Sequence, residues 1–140
     1  MCDDGTVPPD SELANWGQKF EAFGKIINRP FNVFDTMKDS ISAAGFTNIH
    51  EKVYKVPLGD WPKHPVYKDA GRLNEETFRA GMEGYAMMLF TSVGEKPWSP
   101  EEVQVYLGKL RKELENRNWH QYIRQRRVWA QKPFEAQKKV

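Results

Sequence analysis

The stretch 81-GMEGYAMMLFTSVGEKPWSPEEVQVYL-107 decides how this chain is read. Within it, Ser99-Pro100-Glu101-Glu102 sets in succession a capping serine, a proline at the first helical position and a capping-box glutamate. A helix therefore opens at this point and runs along Val103, Tyr106, Leu110 and Leu114. The beginning of the stretch closes a longer helix, over residues 66–93, in which Phe78, Met82, Tyr85 and Leu89 fall on one face. Gly71, Gly81 and Gly84 weaken that helix, and Gly81 and Gly84 are expected to mark close approach of another backbone.

Working outward toward the N-terminus, the loop Pro57-Leu58-Gly59-Asp60-Trp61-Pro62-Lys63-His64-Pro65 is too rich in proline and glycine for regular structure, and Trp61 is its anchor. Before it, residues 47–56 (TNIHEKVYKV) are β-branched, aromatic and bounded by Pro57, which predicts a strand with Ile49 and Val53 on its more buried face. A helix after Asn32, carrying Phe34, Met37, Ile41 and Ala44, ends at Gly45 in a left-handed cap. The first helix, residues 11–27, carries Leu13, Trp16, Phe20, Phe23 and Ile27 as an aromatic stripe. Toward the C-terminus, residues 119–130 (WHQYIRQRRVWA) predict a second strand. Residues 1–8 and 134–140 are expected to be flexible ends.

These elements predict an α+β fold of one domain over residues 1–140, with four helices and a short two-stranded antiparallel sheet. Such a ribbon is marginal by itself, so burial has to come from helical packing or from another chain. Completion by oligomerisation is the expectation.

Composition narrows the functional classes. The 140 residues are 39% hydrophobic and 29% charged with a net charge of +2, ordinary values that argue against nucleic acid as a partner. Cys2 is the single cysteine, which excludes an internal disulfide framework and fits a reducing compartment, cytoplasmic or nuclear. No stretch reaches membrane-spanning length and the N-terminus has no signal-peptide pattern. Asp3-Asp4 reads as a solvated acidic end, because downstream calcium ligands are missing.

Catalytic constellations are thin. Gly81 and Gly84 lie inside a helix without the preceding strand of a phosphate or dinucleotide loop, so no cofactor site is predicted. His50, His64 and His120 are too scattered to predict a metal. His120 beside Tyr122 has two readings, an acid/base group or the start of a strand. Arg124 and Arg126 share one strand face with Arg127 on the other; they either clamp a carboxylate or charge an edge strand against aggregation.

Beyond these readings, the segments DDGTVPPDSELANW, AGFTNIHEKVYKVPLGDWPKHP, GMEGYAMMLFTSVGEKPWSPEEVQVYL and the closing AQKP resemble the C-terminal half of fungal LaeA-like class I methyltransferases. The resemblance covers residues 3–133. It implies that residues 47–56 and 119–130 correspond to the sixth and seventh strands of a seven-stranded sheet. In that family the donor S-adenosylmethionine sits on glycine-rich loops of the N-terminal half, which has no counterpart here. Gln125, Arg126 and Arg127 depart from the apolar last strand of the family. Met1 is read as a natural start.

Three expectations follow. The chain is a non-methylating subunit of fungal secondary metabolism, assembling with itself or with a methyltransferase-like partner chain. Alternatively, it is a donor-independent cyclase or isomerase acting on a natural-product intermediate. Its inherited apolar pocket would then be lined by Trp16, Phe20, Trp61, Tyr85 and Met88, with Arg124, Arg126, His120 or Tyr85 polarising a carbonyl. The third reading is the acceptor-side half of a split methyltransferase.

Overall fold

A computed structural model describes residues 1–133, and the expected flexible end at 134–140 lies outside them. The element order is α1 (Glu12–Ile26), α2 (Met37–Ala43), β1 (Thr47–Pro57), α3 (Pro65–Phe90), α4 (Pro100–Leu114) and β2 (Tyr122–Gln131). The fold is α+β, with β1 and β2 forming a two-stranded antiparallel sheet. Leu58 N donates to Gln121 O at one end of this ribbon, and Thr47 Oγ1 to Gln131 O at the other. Among the described residues no helix is long and apolar enough to cross a membrane.

The chain divides into two units, the first of residues 1–31 and 55–123, the second of residues 32–54 and 124 onward. In the first unit, α1, α3 and α4 pack on one another around Met82, Ala86, Leu89, Phe90, Val103, Leu107, Leu110 and Leu114. Phe90 is its aromatic centre, with Phe23, Trp98, Phe20 and Tyr106 at ring-centroid distances of 4.9 to 5.6 Å. Rings in this range contribute edge and offset attraction beyond their burial.

Local chemistry sets the helix ends. Ser99 Oγ accepts from Glu102 N at 3.2 Å while the Glu102 carboxylate accepts from Ser99 N at 2.7 Å, completing the predicted capping box. At α1, Ser11 Oγ accepts from Ala14 N, and the Glu113 carboxylate of α4 accepts from Glu12 N at 3.0 Å and Leu13 N at 2.7 Å. A negative group is thereby held on the positive end of α1 by a residue about a hundred positions away.

Two expectations about the interior are corrected. Close backbone approach occurs at Gly71, where a Cβ would collide with Gly59 O, and at Gly24, where it would lie 2.7 Å from Arg29 O. Gly84 has nothing within 4 Å and Gly81 meets only the Tyr85 ring, because a residue four positions later leans back over the preceding turn. The second correction concerns β1: Ile49 is half-buried, but Val53 remains 47% exposed. Among the described residues the strand has one partner and no covering layer within its unit, so alternation has nothing to bury against.

The second unit contains α2 and the adjoining parts of the ribbon, and among its described residues none is buried. It is held by polar and aromatic contacts instead. Arg124 and Arg126 place their guanidinium groups 4.7 and 4.4 Å from the centre of the Phe34 ring. His50 stacks on Trp129, and Lys38 pairs with Glu51.

Candidate functional site

The first unit holds a cavity of about 400 Å³, within the size range of small-molecule sites. α1 supplies Trp16 and Phe20, whose ring centroids lie 4.5 Å apart, and Phe31 stands edge-on to Phe20 at 6.1 Å. The opposite wall is α3, where Phe78 meets Trp16 at 5.3 Å and Gly81 leaves room for the Tyr85 ring. Tyr85 and Met88, 61% and 56% exposed, form the outer rim. The polar lining groups on α3 are Asn74, Thr77 and the Tyr85 hydroxyl, and no lining side chain is charged.

Four of the five residues predicted to bind substrate, Trp16, Phe20, Tyr85 and Met88, therefore line one cavity. Trp61 does not belong to it. Its indole nitrogen donates to Gln121 O at 2.8 Å and its ring lies 5.0 Å from that of His120, so it anchors the loop after β1 to the residues before β2. The sequence pattern could not separate these two uses of tryptophan, since both demand a large partly buried ring.

Of the four catalytic candidates, Tyr85 alone lines the cavity. His120 precedes β2 and is engaged with Asp4 through Nδ1, while its amide donates to Thr6 Oγ1 at 2.9 Å. Arg124 and Arg126 lie in the second unit on the Phe34 ring, with Arg126 also 3.9 Å from Glu51. Their shared face agrees with the predicted alternation. His50 and His64 stand on Trp129 and Tyr67 respectively.

Sequence reasoning missed two charged clusters. Glu75, only 6% exposed, accepts from Arg79 at 2.8 Å and Arg117 at 3.2 Å, and Arg117 also reaches Asp60 at 2.9 Å. The i,i+4 spacing of Glu75 and Arg79 was the available signal, but it does not reveal burial. At the other cluster, Asp3 accepts from the Tyr122 hydroxyl at 2.6 Å and pairs with Lys55. Asp4 accepts from the Cys2 thiol, and from the Thr6 hydroxyl at 2.8 Å. Residues 3 and 4 thus stay exposed to solvent, as expected, and in addition form a hydrogen-bonded strap.

These bonds explain the acidities. The Lys55 ammonium and the Tyr122 hydroxyl hold the Asp3 carboxyl below its ordinary value, and Asp3 in turn raises the Lys55 and Tyr122 values. The Cys2 thiol, His120 and Thr6 hold Asp4 well below the carboxylate range.

The chain is 34% identical over 132 residues to the methyltransferase pytC of Aspergillus terreus, a match covering 94% of this chain and 40% of that protein. It is 29% identical over 131 residues to the probable methyltransferase tdiE of Emericella nidulans, covering 94% of this chain and 41% of that one. Over this span it is homologous to the fungal LaeA-like methyltransferases. A further relative, the secondary metabolism regulator LAE1 of Cochliobolus heterostrophus, is 34% identical over 122 residues, 86% of this chain and 39% of that protein. The chain spans about two-fifths of the length of these LaeA-like relatives. No family model matches it, and no solved structure matches it significantly.

Proposed function

We propose that this methyltransferase-derived chain serves fungal secondary metabolism as a subunit that holds an apolar small molecule and does not itself transfer a methyl group. The observation that carries the reading is the 400 Å³ cavity, with aromatic walls from two helices and an exposed apolar rim. Preformed apolar concavities of this size suit flat natural-product rings. The probe is 2-methoxynaphthalene, titrated calorimetrically into the wild-type chain and into Met88→Glu, which puts a charge on the exposed rim. Saturable binding that the variant loses supports the reading; equal binding by the variant, or no binding of either this ether or 2-naphthol, overturns it.

A second reading, association, draws on the second unit, which among its described residues has none buried and exposes Val53, Tyr54 and Trp129. A two-stranded ribbon with this much apolar surface gains stability from a further strand or layer, whether from another copy or from a methyltransferase-like chain. The split-methyltransferase form draws on the two-fifths coverage and predicts S-adenosylmethionine binding only when such a partner is added. The cyclase or isomerase reading has less support, because Tyr85 is the one catalytic candidate lining the cavity.

A further inference from the structure

The polar lining of the cavity points to a narrower class of ligand, an inference that rests on the ligand-holding reading above. Asn74 and Thr77 are three residues apart on α3, so they lie side by side on the same helix face. Asn74 Nδ2 donates to Pro57 O at 2.8 Å, which fixes the amide and leaves its carbonyl oxygen and one N–H unused. The Thr77 hydroxyl donates to Leu73 O at 2.9 Å, which commits its proton and leaves its oxygen as an acceptor. The pair thus offers two acceptors and one donor within a largely aromatic lining that also carries the Tyr85 hydroxyl at its exposed rim and, among the described residues, no charged side chain.

We propose that the cavity takes a neutral planar aromatic bearing a hydroxyl, a phenol or naphthol type of ligand, with the hydroxyl set against Asn74 and Thr77. Such a hydroxyl both donates and accepts, matching what the two side chains leave unused. A carboxylate has no proton to give to these acceptors, and no lining cation offsets its desolvation. An ether of the same shape accepts but cannot donate.

Three probes separate these cases by calorimetry at pH 7: 2-naphthol, 2-methoxynaphthalene and 2-naphthoate. The expected result is that 2-naphthol binds roughly three- to tenfold more tightly than its methyl ether, the scale of one net hydrogen bond. The carboxylate binds at least about tenfold more weakly than the naphthol. In the Asn74→Ser, Thr77→Val double variant, with helicity checked by circular dichroism, the advantage of naphthol over ether shrinks below about twofold. Equal binding of naphthol and ether by the wild type overturns this inference while leaving the ligand-holding reading intact. A preference that persists in the folded double variant overturns the placement of the hydroxyl, and carboxylate binding as tight as naphthol overturns the neutral class. If none of the probes binds, both readings fall.

Discussion

At the scale of single residues, glycines in one helix have opposite roles. Gly71 and Gly84 both interrupt α3, and propensity alone says that alanine should improve either by up to about 1 kcal/mol. At Gly84, with no atom within 4 Å of a new Cβ, that gain is expected in full. At Gly71 the same methyl meets Gly59 O and lies 3.0 Å from Pro57 Cβ, so Gly71→Ala is expected to lose about 1–3 kcal/mol, the scale of overpacking. Urea denaturation of the two variants checks the reversal of sign. The carboxyls of Asp3 and Asp4 give a pH prediction. Their folded values lie below the ordinary 3.8, so their contribution to stability is fully present above 3.8 and is lost as pH falls through the lower folded values. The denaturation midpoint of the wild type should exceed that of Asp4→Asn at pH 6, and the gap should close toward the acid end. A gap that does not vary with pH would count against the strap.

At the scale of elements, the helices were legible and the ribbon only partly so. Ser99-Pro100-Glu101-Glu102 fixed the start of α4 because every group involved lies within one turn. Gly45 ended α2 for the same reason, its φ of 84° being one that side chains rarely adopt. β2 begins at Tyr122 rather than Trp119, since residues 116–120 are taken up by turn and strap contacts, such as Trp119 N to Asn116 O and His120 N to Thr6 Oγ1. No local pattern encodes contacts of that range. The lack of a covering layer among the described residues has a measurable counterpart: at dilutions where the chain is monomeric, amides of residues 47–54 and 124–131 should exchange with deuterium well before those of α3 and α4, and association should slow them. Equal protection would mean that the second unit is covered in solution. The long-range cap on α1 is tested by Glu113→Ala, expected to cost about 1–2 kcal/mol because two amides lose a charged acceptor.

At the scale of the whole molecule, the fold class and the core helices could be read from apolar spacing, and four of the five residues expected in the pocket line the cavity. The buried Glu75 network and the separate location of Trp61 could not be read in this way. Spacing reports which residues share a face; it does not say which faces meet, and Trp16 and Trp61 look alike until they do. Association is the prediction that belongs here. Light scattering of the purified chain is expected to show an oligomer, and calorimetry no binding of S-adenosylmethionine by this chain alone. A monomer that binds the donor would overturn the proposed subunit role.

The carboxylate of Glu113 on the amides of Glu12 and Leu13 also bears on the order of assembly. During translation α1 is made about a hundred residues before Glu113 of α4, the group that accepts from its first amides. Its apolar stripe likewise waits for α3 and α4, the helices it packs against. α1 is therefore secured only after α4 has been synthesised, and Trp16, Phe20 and Phe23 remain available to chaperones until then.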